Sequence, residues 1–182
     1  MTDAPRRART IVLFVAIGLF PSLAVAQESK SATLATELAQ LLDSRKLDSI
    51  AARGAAPDEY VGCLYFPGSQ LLVVGAKYSS PDRMQQLLTA KNYRDIYIDL
   101  NSASVPQSKV FVSDLGANGL RFDRQGSQPW DTVDLGGKSY SFDGDWGKAK
   151  ISRDEYTKAY QTTDDQYTKM LEALVAELKK PS

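Results

Sequence analysis

Lys77, Tyr78 and Arg83 are the residues in this 182-residue chain whose types and spacing best suit holding an anion. Lys77 and Tyr78 end the apolar run in "LYFPGSQLLVVGAKYS", and Arg83 falls in the first turn of a helix that Pro81 should open. A helix N-terminus presents unpaired N–H groups, and two nearby cations would reinforce that field. The plainer reading is that Lys77 marks the polar end of a buried strand and Arg83 is solvated. Other candidates are thinner. Asp143 and Asp145 in "FDGDWGKAK" supply only two of the alternating carboxylates that a calcium loop uses, so a surface turn accounts for them. "DLGANGL" lacks the Lys-Ser/Thr pair of a phosphate loop and reads as a turn. Ser102 and Ser104 lie in a hydroxyl-rich loop, "NSASVPQS", with no base at a recognisable spacing.

The chain has no histidine, which removes the commonest general base, the commonest zinc ligand and the usual activator of a serine or cysteine nucleophile. Its single cysteine, Cys63, sits in the strand-like run "VGCLYF" and reads as a small buried hydrophobe; alone it can form no intrachain disulfide. Acid–base chemistry would fall to Asp, Glu, Lys or Tyr. No catalytic residue, metal site or resident cofactor is assigned, and the expectation leans away from an enzyme.

The elements that position these residues follow from periodicity. "SATLATELAQLLDSRKLDSIAARG" places leucines near helical spacing, with Ser31 as N-cap and Gly54 as stop. The phase slips near Asp43-Ser44, which predicts one helix or two short ones broken there. Tyr60–Phe66 and Gln70–Lys77 are predicted strands joined through Pro67-Gly68. Both faces of "LLVVGA" are apolar, so that strand should be covered on both sides. A helix comes next, capped by Ser80 and carrying Met84, Leu87 and Leu88 on its apolar stripe. "RDIYIDL" alternates as a half-exposed strand, "KVFVSDL" is another, and "DTVDLGGKSYSF" is a hairpin turning at Gly136-Gly137. Ser152 and Glu155 form a capping box for a long last helix. Its face of Tyr156, Tyr160, Thr163, Tyr167, Met170, Leu171, Leu174 and Leu178 should pack on the sheet. This order predicts an α+β fold: a mainly antiparallel curved sheet or small barrel, with N-terminal and long C-terminal helices packed on it.

The N-terminus carries an address. Arg6, Arg7 and Arg9 precede the apolar run Ile11–Phe20, and Ala24-Val25-Ala26 supplies a small-residue cleavage site. That pattern predicts a secretory signal peptide over residues 1–26, and the apolar run is short of the ~20 residues of a spanning helix. The expected mature chain, 27–182, is a single periplasmic or secreted domain with no membrane attachment after cleavage. Removing Asp3 and the three arginines leaves 19 Lys+Arg against 21 Asp+Glu, which argues against nucleic acid as a partner.

"CLYFPGSQLLVVGAKYS", "PDRMQQLLTAKNY", "RDIYIDL" and "KVFVSDLGANGL" together resemble the hairpin–helix–strand core of the flavin-binding split barrel, the pyridoxamine 5′-phosphate oxidase-like fold, over about residues 58–142. The resemblance is one of element order and apolar pattern. It implies a place for a flavin phosphate near Lys77 and Tyr78, and many members of that fold carry no cofactor. The leading expectation is therefore an exported soluble binding or interaction module for an unknown small molecule or protein. The alternative is an exported flavin-binding oxidoreductase using FMN.

Overall fold

The computed structural model describes residues 29–78, 81–89, 109–120, 131–135, 138–140 and 152–181. Among them are helix α1 (Ala32–Arg45), strands β1 (Ser49–Arg53), β2 (Glu59–Phe66) and β3 (Gln70–Lys77), helix α2 (Pro81–Thr89), strands β4 (Lys109–Leu115), β5 (Thr132–Leu135) and β6 (Lys138–Tyr140), and helix α3 (Arg153–Leu178). The six strands form one open, curved sheet in sequential order, every neighbouring pair antiparallel. The fold is α+β, with the N-terminal and long C-terminal helices of the expected architecture. No helix among the described residues is long and apolar enough to cross a membrane.

Strand alternation divides the interior into two layers. Val61, Cys63 and Tyr65 of β2 and Leu71 and Val73 of β3 face α1 and α3, whose Leu38, Leu42, Leu171 and Leu174 close that side. Tyr60 and Leu64 of β2, and Leu72, Val74 and Ala76 of β3, face the other way, against Met84, Leu87 and Leu88 of α2. This explains why "LLVVGA" is apolar on both faces. Each fully buried leucine is worth ~1.5–3 kcal/mol relative to exposure.

The N-terminal segment departs from its helical expectation. α1 ends at Arg45, where Lys46 takes a left-handed conformation (φ 55°) and its N–H and that of Leu47 close on the Leu42 and Asp43 carbonyls. Residues 49–53 are then an edge strand pairing with β2, Ile50 opposite Cys63 and Ala52 opposite Val61. The slip at Asp43-Ser44 is the end of the helix, and pairing with β2 makes the residues beyond it a strand.

α3 matches its stripe: Tyr156, Tyr160, Thr163, Tyr167, Met170, Leu171, Leu174 and Leu178 are all buried. Its capping box is half made. Ser152 Oγ accepts from Glu155 N at 3.2 Å, while the Glu155 carboxylate turns to Lys138 on β6. The expected strand 94–100, the cap Ser80, the turn Gly136-Gly137, the Asp143/Asp145 turn, the Asn101–Ser108 loop and the signal segment lie outside the described residues.

α2 approaches the sheet over Gly62, where a Cβ would lie 2.5 Å from Met84 Sδ and 3.0 Å from a Leu88 methyl. Replacing Gly62 with Val should force α2 away from β2. Urea denaturation should register a loss of about 1–3 kcal/mol, the usual range for overpacking.

Candidate functional site

The alternation that builds the two layers also separates the candidate residues. Lys77 is the last residue of β3, opposite Glu59. Its ammonium lies 3.7 Å from Asp58 Oδ1, with both side chains about half exposed, an ion pair worth ~0–1 kcal/mol. Tyr78 points to the opposite face. Its N–H donates to the Asp58 carbonyl at 3.0 Å, and its buried ring packs in the α2 layer. Arg83 is exposed on α2 and its guanidinium donates to Gln86 Oε1 at 3.2 Å. Lys77 and Tyr78 are thus joined through the Asp58 loop, and Arg83 engages its own helix.

Among the described residues the densest polar chemistry lies elsewhere, between the sheet, the 114–120 turn and helices α1 and α3. Asp114, at the end of β4, is fully buried. Its Oδ1 accepts from Asn118 N at 3.1 Å, and its Oδ2 accepts from Gly119 N at 2.8 Å and from the Tyr167 hydroxyl at 3.0 Å. Asp131 is also buried; its Oδ1 accepts from Leu115 N at 2.9 Å, and its carbonyl accepts from the Tyr160 hydroxyl of α3. Burial and the Asp114 charge hold the Tyr167 phenol well above the ordinary tyrosine range, so it stays the donor. Cys63 shares this pocket of charge. Burial, with Asp114 adding, pushes its thiol far up, which makes it a packing residue rather than a nucleophile.

A third buried carboxylate, Asp164 of α3, caps α1 from outside. It accepts from Lys30 N at 2.8 Å, Ser31 N at 3.3 Å and the Ser31 hydroxyl at 2.6 Å. Ser31 holds the N-cap position, but its backbone is already helical and its hydroxyl makes no cap bond; it accepts instead from Leu120 N at 3.0 Å. Gly119 seals the junction. At φ +84°, a Cβ there would sit 2.5 Å from the backbone of Ala32. Glycine alone fits both the conformation and the space.

The sequence held signals for these residues. Asp164 falls at the inward position of the period Tyr160, Thr163, Asp164, Tyr167 (i, i+3, i+4, i+7). Asp114 stands just before a glycine-bounded turn, where a carboxylate readily receives backbone N–H groups. Among the described residues no group of three or more acidic or cysteine side chains is arranged to hold a metal ion.

Compared with known proteins, the chain matches no family model, no curated protein and no solved structure.

Two substitutions test these assignments. Asp164→Ala leaves two backbone donors and a buried hydroxyl without their acceptor, and should cost about 2–4 kcal/mol in denaturant unfolding, with α1 amides losing hydrogen-exchange protection first. Asp134 on β5 behaves oppositely. Its Oδ1 is buried without a hydrogen bond, and burial raises its pKa despite help from Ser139. The native protein therefore keeps this proton to higher pH than the unfolded chain, and its contribution to stability falls as pH rises through the raised pKa. Asp134→Asn should accordingly raise the unfolding midpoint at neutral pH and leave it unchanged below the ordinary aspartate range, as a pH series of thermal melts would show.

Proposed function

We propose that this chain is an exported binding or interaction module whose work is done on its surface rather than by interior catalysis. The observation that supports this most directly is the commitment of Asp114, Asp131 and Asp164 to backbone donors: Asp114 closes its own turn, Asp131 ties β5 to β4, and Asp164 ties α3 to the start of α1. A carboxylate held in this way is a fixed acceptor in the scaffold. The Cys63 thiol is equally committed to packing.

The competing reading is an exported flavin-binding oxidoreductase. It draws on the β2–β3 hairpin, α2 and β4 succeeding one another as the split-barrel resemblance implies. In that reading Lys77, half exposed at the end of β3, meets the flavin phosphate.

Native mass spectrometry of the protein recovered from an exporting host separates the two. The leading reading expects a colourless species beginning at Gln27, with a copurifying small molecule or protein and no thermal shift on adding FMN. A yellow protein, or an FMN-induced shift that Lys77→Ala abolishes, would establish the flavin reading in its place.

A further inference from the structure

The turn that carries the Asp114 clamp also contains the only Asn-Gly pair in the chain, Asn118-Gly119; Asn92 and Asn101 precede Tyr and Ser. In an Asn-Gly pair the glycine nitrogen meets no side chain as it approaches the asparagine amide carbon, so spontaneous ring closure is easiest there. Three features of the folded turn bear on that reaction. Gly119 N–H is donated to the Asp114 carboxylate at 2.8 Å, and Asn118 N–H to its other oxygen at 3.1 Å. An amide hydrogen held by an anion is harder to remove, and the nitrogen is kept from attack. The turn is also tense. Gly116, Ala117 and Gly119 all have positive φ, at 90°, 50° and 84°, and alanine takes that conformation at a cost. Finally, Asn118 Oδ1 is buried with no hydrogen-bond donor, so the closed turn neither activates this amide nor satisfies it.

We propose that Asn118-Gly119 is a spontaneous deamidation site held closed by the Asp114 carboxylate, and that its conversion unlatches the N-terminus of α1 irreversibly. When the turn opens, Gly119 N loses its proton to solvent base and bonds to Asn118 Cγ. The Cγ–Nδ2 bond breaks, and the nitrogen leaves with a proton as ammonia. Water then adds to either carbonyl of the resulting succinimide and opens it to aspartate or isoaspartate. No electrons change hands; the net change is asparagine plus water to an acid plus ammonia. Either product sets a new negative charge beside the buried Asp114, and isoaspartate also lengthens the main chain between two of its donors. The turn can no longer present Gly119 against Ala32, or Leu120 N–H to the Ser31 hydroxyl, two of the contacts that seat the start of α1.

The full chain is incubated in mildly alkaline buffer, and conversion at residue 118 is followed by peptide mass spectrometry. Asp114→Asn should speed conversion at least about tenfold, the effect on turn opening of losing a hydrogen bond to a charged group. Should that variant fail to fold, the wild-type chain in urea below its unfolding transition serves instead, and conversion should rise in step with exchange of the Gly119 amide. A rate unchanged by Asp114→Asn, or by urea that opens the turn, overturns the clamp. The release is tested by Asn118→Asp, which is one of the two products. Its Ala35 amide, bonded to the Ser31 carbonyl in the closed form, should exchange at least about tenfold faster than in wild type, with Asn118→Gln unchanged. Wild-type protection in Asn118→Asp overturns the unlatching.

Discussion

A carboxylate removed from water must be met by donors, and among the described residues three such groups, Asp114, Asp131 and Asp164, dictate how the chain closes. Asp114 gathers the N–H groups of its own turn and a hydroxyl from α3. Asp131 ties the start of β5 to the end of β4. Asp164 reaches from α3 to cap α1. The apolar layers supply the bulk of the driving force, but they do not fix where a helix stops sliding along a greasy sheet. These directional contacts do. Asp114, through Tyr167, and Asp164 join segments far apart in sequence, and Ser31 belongs to two contacts at once, giving to Asp164 and receiving from Leu120.

The same arrangement shapes what the protein can do. A buried carboxylate without compensation is a reactive or pH-sensitive group; one with two or three donors is a rivet. Tyr156, Tyr160 and Tyr167 are likewise wholly buried, and two of them spend their hydroxyls on the junction with the sheet. The aromatic row of α3 serves as a wall of the core. Asp134 is the exception, a carboxylate with one oxygen buried and unmet, and its raised pKa records the difference.

Much of this architecture is legible in the sequence itself. The Pro67-Gly68 hairpin, the two-sided apolar pattern of β3 and the stripe of α3 are local signals, and local physics decides them. The features that are not legible depend on distant partners. Ile50 and Ala51 fit a helical period as well as a strand until β2 is there to pair with them. Ser31 has the side chain of an N-cap, but Asp164, far along the chain, takes over the capping. Lys77, Tyr78 and Arg83 are close in sequence, yet the two-residue period of a strand sends the first two to opposite faces. The inward phase of Asp164 is readable in the α3 pattern; which donors it meets is not.

The turn, α1 and α3 meet in a single junction at Ser31 rather than in three independent contacts. A double-mutant cycle pairing Asp114→Asn with Asp164→Ala measures that directly by equilibrium unfolding. A single junction predicts strong coupling: once either carboxylate is lost, losing the other should cost about 1 kcal/mol less than it does alone. Strict additivity of the two losses would contradict it.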